Sequence, residues 1–288
     1  MNPILEVNGL QKDFPAFSLQ DVSFSLLEGC ITGFIGVNGA GKTTTIKTIL
    51  GLVLKDAGSI KLWGKEMDRN ERELKNHIGI VFDEGYFYED MSIREMKNVI
   101  APSYSNWDEA VFDNNLKRFQ LQPRQKISTL SKGMRMKYGI ALALSHHADL
   151  LIMDEPTSGL DPLVRSELMD ILLEFMQEKG KGVFFSTHIT SDLDKIADVL
   201  ILIDKGRIVL NEGKDVLLDK HGLVKGDQRL LDQQTRKMFL TLHETEYGFE
   251  GVTDKKSEVR RYMKGVLIER PTIENIMLAY VGGNDNVI

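Results

Sequence analysis

Gly36-Val37-Asn38-Gly39-Ala40-Gly41-Lys42-Thr43-Thr44 decides how the rest of this 288-residue chain is read. It follows a short apolar run, Ile31–Ile35, and opens a helix-like run, Thr43–Leu50. The spacing G-x-x-x-x-G-K-[ST] is that of a loop that cradles phosphate. Its glycines let the backbone turn tightly, so that successive N–H groups point inward at phosphate oxygens. The following helix adds its positive N-terminal end. In that arrangement Lys42 reaches the β- and γ-phosphates, and Thr43 offers a hydroxyl to Mg²⁺.

Working outward, Ile4–Val7, Val22–Leu26 and Cys30–Ile35 read as strands, as does the stretch between Gly58 and Gly64. Residues 65–77 read as a polar surface helix, and Ile78–Phe82 as a buried strand. From about Asp83 to Lys132 the chain turns helical, aromatic and polar. Ile93–Val99 and Asp108–Leu121 are amphipathic, with Pro102 and Pro123 as breaks. This stretch reads as an inserted helical subdomain, about residues 84–145, and Met134–Ser145 returns the chain to the core. Leu150–Met153 is a fully apolar strand. Pro162–Lys179 carries Leu168, Ile171, Leu172 and Phe175 at helical spacing, ended by Gly180. Val183–Phe185, Val199–Ile203 and Arg207–Leu210 are further strands. Strands alternating with helices predict a mostly parallel α/β sheet over residues 1–220. Beyond it, 221–288 reads as a small C-terminal α+β accessory domain ending in a helix over Ile273–Val281.

Two more stretches carry chemistry. Asp154 and Glu155 close the apolar strand Leu150–Met153, and ligands in open α/β sheets sit at the carboxyl ends of strands. Asp154 there can hold Mg²⁺, and Glu155 can orient or deprotonate a water attacking the γ-phosphate. In Leu130-Ser131-Lys132-Gly133-Met134, Ser131 and Gly133 stand where a helix begins, a second possible anion site.

The phosphate loop, Leu130–Met134, Asp154-Glu155, Ser158-Gly159-Leu160-Asp161 and Ser186-Thr187-His188 occur in that order. Together they resemble the motif set of ATP-binding-cassette (ABC) ATPases over roughly residues 4–212. The resemblance implies a P-loop, RecA-like parallel sheet core with an antiparallel β subdomain and the inserted helical subdomain. It implies that Gly36, Asn38, Gly39, Ala40, Gly41, Lys42, Thr43 and Thr44 bind ATP. Thr43, Asp154 and Asp83 are the implied Mg²⁺ side, Glu155 the general base, and His188 its link to the γ-phosphate. Ser131 and Gly133 would bind ATP held by a second subunit, with Asp161 in the loop that crosses to it. Phe14 lies where the family stacks an aromatic on adenine, and Phe17 competes for that role.

The resemblance is broken at Asp83, where the family usually has glutamine, so that either Asp83 or Glu84 takes that place. It is broken again at Lys132, for the usual glycine, and at Met134, for glutamine. Lys132 is expected either to add positive charge near the second subunit's nucleotide or, the favoured reading, to sit in solvent. Tyr86, Phe87 and Tyr88 are expected either to line a groove for a membrane partner or to pack inside the helical subdomain.

Composition fits this reading. Lys+Arg 36 against Asp+Glu 42 gives a formal charge of −6, no electrostatic case for nucleic acid. The single cysteine, Cys30, excludes an internal disulfide and reads as a small buried apolar residue. The opening residues lack a signal-peptide pattern, and no apolar run approaches the roughly 18 residues of a membrane span. The expected function is therefore the ATP-hydrolysing subunit of an ABC transporter, cytoplasmic and peripheral on the inner face of the membrane. Its expected partners are a separate integral membrane permease and a second ABC ATPase subunit, identical or not. Similarity of Phe82–Glu84, Lys132–Met134 and Arg270–Ile276 to single-cassette bacterial exporters suggests export of peptides or drug-like compounds. The rival reading is a soluble ABC ATPase of translation or DNA repair.

Overall fold

A computed structural model describes residues 2–83 and 86–282. The central sheet has the strand order β10 (Arg207–Gly213), β9 (Val199–Asp204), β3 (Ile31–Ile35), β8 (Gly182–Thr187), β7 (Leu150–Asp154), β6 (Ile78–Phe82). Its neighbours are parallel from β9 to β6, and β10 is antiparallel to β9. Strands β3, β7 and β8 are buried along their whole length, which is why they are short, nearly continuous apolar runs.

Alternate side chains of these strands enter two different cores. Leu150 and Ile152 join Ile4, Val7 and Phe24 under an antiparallel sheet ordered β2 (Phe17–Leu27), β1 (Pro3–Phe14), β4 (Ala57–Leu62), β5 (Lys65–Glu66). Phe24, Phe34 and Phe184 knit the two sheets, with ring centroids 5.1–5.8 Å apart. Helices α1 (Lys42–Ile49) and α2 (Met67–Lys75) pack into that same core through Ile46, Ile49, Met67 and Leu74. Leu151 and Met153 face the opposite way. There they meet α3 (Ile93–Ile100), α4 (Glu109–Arg118), α5 (Lys132–Leu144), α6 (Pro162–Phe175) and α7 (Thr190–Ile196).

Helix α8 (Lys214–Lys220) leads to a third sheet, antiparallel, ordered β12 (Thr241–Thr245), β13 (Gly248–Thr253), β11 (Gly222–Gly226), β14 (Leu267–Glu269). With α9 (Gln233–Arg236) and α10 (Lys256–Tyr262) it encloses a small core of Val224, Phe249, Val259 and Met263. The last helix, α11 (Ile273–Gly282), turns back onto α7, and its Ile273, Ile276 and Met277 belong to the core of the large sheet.

Several boundaries differ from the sequence reading. Strand β1 runs 12 residues where four were expected, because bulges around Asn8 and Gly9 keep a polar stretch in the ladder. Helix α6 stops at Phe175 rather than Lys179. Helix α5 starts at Lys132 rather than Met134, capped by Ser131. Cys30 is buried as expected, and burial, with the charge of Asp198, pushes its thiol up.

Candidate active site

Strands β3, β8 and β7 are neighbours running the same way, with Ile35 opposite Thr187 and Asp154 opposite Ser186. Their following loops therefore open at one edge, which brings Gly36–Thr44, Glu155 and His188 together from distant points in the chain.

The loop after β3 buries Gly36 and Ala40 and exposes Val37, Asn38 and Gly39. Gly39 and Gly41 take positive φ, 81° and 115°. A Cβ at Gly41 would also come within 2.8 Å of the Phe17 ring, so only glycine fits there. Gly41 is the N-cap of α1, and no side chain caps that helix start, which leaves its first N–H groups for an anion. Thr43 and Thr44 are half-buried on this first turn. Lys42 is 5% exposed and donates to the carbonyls of Gly36 (2.7 Å) and Val37 (3.3 Å).

Lys42 Nζ also lies 3.0 Å from Glu155 Oε1, whose side chain is 14% exposed. The other carboxylate oxygen accepts from His188 Nδ1 at 2.8 Å and from the His188 backbone N–H at 3.3 Å. A carboxylate only accepts, so Nδ1 carries a proton and donates to Glu155. Glu155 holds a left-handed φ of 50°, uncommon for a non-glycine residue. Its backbone N–H is fixed by Ser186, through the carbonyl (3.1 Å) and through Oγ (3.0 Å). Ser186 Oγ in turn donates to Asp154 Oδ1 at 2.6 Å, and Asp154 is buried. One serine thus holds the Asp154 carboxylate and the Glu155 backbone. The motif Ser186-Thr187-His188 gives Ser186 no role of its own; its place opposite Asp154 emerges only from the strand register.

The Glu155 carboxylate is held and oriented beside an open anion cradle, so that once freed from the Lys42 ammonium it can take a proton from a water. Thr43, Asp154 and Asp83 are hard oxygen donors, and Asp154 is already oriented by Ser186. Among the described residues no three His, Cys, Asp or Glu side chains form a metal cage by themselves. Mg²⁺ ordinarily binds through one or two carboxylates together with substrate phosphates.

The remaining expected residues lie apart from this network. Ser131 caps α5, its Oγ accepting from Met134 N–H at 3.2 Å. Gly133 packs so closely on α6 that a Cβ would sit 3.2 Å from Val164. Asp161 caps α6, accepting from the N–H groups of Leu163 and Val164 at 3.0 Å each. No hydrogen bond or ion pair among the described residues joins Ser131, Gly133 or Asp161 to Lys42, Glu155 or His188. Phe14 closes the β1–β2 hairpin opposite Phe17 and is 43% exposed, whereas Phe17 packs into the core beside Gly41. The open aromatic face is therefore that of Phe14.

Lys132 is exposed, as expected, and in that position it also pairs with Asp83. Its ammonium lies 2.5 Å from Asp83 Oδ1, at the end of β6. Glu84, the alternative to Asp83, lies outside the described residues. Of the three aromatics, Phe87 packs on Tyr138 (ring centroids 4.9 Å apart), while Tyr86 and Tyr88 are exposed. Tyr86 and Phe87 line an open cleft of about 510 Å³ with Asp83, Glu89, Lys132 and Arg135.

Residues 19–158 match the protein-family model described as ABC transporter. The bacitracin transport ATP-binding protein BcrA of Bacillus licheniformis is 32% identical over 212 residues, covering 73% of this chain and 69% of that protein. This chain belongs to the ATP-binding subunits of ABC transporters. The lantibiotic transport ATP-binding protein SrtF of Streptococcus pyogenes is 33% identical over 215 residues, covering 74% of this chain and 92% of that protein. A solved structure of an ATP-binding subunit of an ABC transporter superposes with a TM-score of 0.68 at 29% identity, covering 75% of this chain and 92% of that one. The ABC subunit described here binds and hydrolyses ATP to power a transmembrane partner, and the reading as a soluble translation or repair factor is not favoured. None of its described helices is long and apolar enough to cross a membrane.

Proposed function

We propose that this ABC subunit hydrolyses ATP at the edge formed by the loops after β3, β7 and β8, sandwiched against a second ABC subunit, and drives export of peptides or drug-like compounds. The observation that carries the site assignment is the continuous contact Lys42–Glu155–His188 beside the uncapped start of α1.

In this reading Gly36, Asn38, Gly39, Ala40, Gly41 and Thr44 wrap the triphosphate, and Phe14 stacks on adenine. Arriving phosphates draw the Lys42 ammonium away from Glu155, since a polyphosphate outcompetes a single carboxylate for it. The released Glu155 carboxylate takes the proton of a water attacking the γ-phosphorus. The P–O bond to ADP breaks, and inorganic phosphate leaves. His188 keeps Glu155 oriented through Nδ1 and turns Nε2 to the γ-phosphate. Thr43 and Asp154, with Asp83 as a further ligand, would hold Mg²⁺, which would supply charge neutralisation at the β- and γ-phosphates.

Ser131 and Gly133, at a second helix start with no described bond to Lys42, Glu155 or His188, serve the nucleotide of the partner subunit, and Asp161 lies in the loop that faces it. The cleft edged by exposed Tyr86 receives the membrane partner, which holds the chain at the cytoplasmic face. Residues 221–288 form an accessory domain. The peptide-antibiotic cargo in the names of BcrA and SrtF supports the export reading.

The experiment is Glu155→Gln. It should bind ATP normally and slow turnover about 10²–10⁴-fold, the usual worth of a general base. Turnover at the wild-type rate removes Glu155 from the role. Co-purification with an integral membrane partner from detergent extracts tests the transporter assembly.

A further inference from the structure

Lys132 is the first residue of α5, where the positive end of the helix disfavours a cation. Its ammonium is compensated by Asp83 at 2.5 Å. Asp83 directly follows Phe82, which stands in register with Asp154 on the neighbouring strand, so the carboxylate belongs to the same sheet edge as the proposed metal side. The lysine side chain also runs over the turn after β7, because a Cβ on Gly159 would lie 3.3 Å from its Nζ and 3.5 Å from its Cδ. One cation thus spans the end of β6, the turn at Gly159 and the start of α5. One turn along α5, Arg135 grips Glu89 with both guanidinium nitrogens. Helix α5 therefore holds the chain leaving β6 at two points, only one of which involves a carboxylate at the sheet edge.

We propose that Lys132 is a positioning residue that competes with the nucleotide's divalent cation for Asp83, so that loading the cation releases the start of α5 from the end of β6. A carboxylate already paired with an ammonium is a weaker ligand for a second cation, and a carboxylate bound to a divalent ion no longer holds a lysine 2.5 Å away. The Arg135–Glu89 grip keeps α5 in place when the first contact opens. This inference rests on the assignment of Asp83 to the metal side.

The test measures binding of a fluorescent non-hydrolysable ATP analogue while Mg²⁺ is titrated, with no turnover involved. Both side chains of the pair are partly exposed, so Lys132→Ala is expected to lower the half-saturating Mg²⁺ about two- to fivefold, and Lys132→Arg to restore it. Asp83→Asn is expected to raise it and to abolish the response to Lys132→Ala. A Lys132→Ala shift of equal size with and without Asp83, or none in either background, overturns the competition. A wild-type chain whose nucleotide binding ignores Mg²⁺ overturns it together with the site assignment. A Mg²⁺-sensitive wild type without a Lys132 response overturns the competition alone.

Discussion

Ser186 is where the fold meets the chemistry most directly. It holds the side chain of Asp154 and the backbone of Glu155, and the latter sits in a left-handed conformation that costs free energy. Ser186→Ala leaves both partners short of a hydrogen bond inside a buried strand end. The expected loss of stability is about 1–3 kcal/mol, with a fall in ATP turnover because Glu155 is less well aimed. Urea unfolding and steady-state ATPase rates check this; a variant matching the wild type in both would remove Ser186 from the site. The loop residues Gly36–Thr44 were legible because their chemistry is contiguous in the chain. Ser186 and the Lys132–Asp83 pair were not, because each acts across strands or between a helix and a strand, through contacts that local spacing does not encode.

Among the elements, the junction of α5 with β7 carries a buried histidine. His146 is 1% exposed, stacks on Tyr104 with ring centroids 3.8 Å apart, and donates from Nδ1 to the Asn76 carbonyl. Burial pushes its imidazole down from 6.5 to about 4. Above pH 6.5 both folded and unfolded chains hold it neutral. Below that the unfolded chain takes up the proton first, so stability falls until about pH 4, by a total on the order of 3 kcal/mol. Urea unfolding at pH 7 and pH 4.5 should show a smaller acid loss in His146→Asn than in the wild type; equal losses would contradict it. Element types were read most reliably where both faces are buried, as in β3, β6 and β7. Helix α7 escaped notice because it is short and carries a buried aspartate, Asp192. The third sheet was hard to see for a different reason. Its exposed face is laced by charges, with Lys225 reaching Glu250 (3.3 Å) and Glu269 (2.8 Å) on the two flanking strands, so apolar alternation is broken within strands of three to six residues.

At the scale of the molecule, the chain has an uncapped helix start at α1 beside Glu155, the proposed base, and a second helix start at α5 that no described bond joins to Glu155. Ser131→Arg is expected to leave ATP binding to a single chain intact while preventing ATP-driven dimers, most clearly seen by light scattering in the Glu155→Gln background. Dimers that persist, or loss of binding by the single chain, would contradict the shared-nucleotide arrangement. The parallel sheet and its order of motifs were legible from sequence, but a pairing of two chains leaves no periodicity in one. The return of α11 to α7 was equally silent in the sequence, although His221 Nε2 meets Tyr280 Oη at 3.0 Å to secure it. Helix α7 begins two residues after His188, so α11 acts as a buttress behind the loop that carries the proposed catalytic histidine. An engineer trimming this ATPase to a minimal motor at residue 220 would strip Ile273, Ile276 and Met277 from the wall that loop leans on. Such a shortened motor should stall for want of support, with its phosphate cradle still intact.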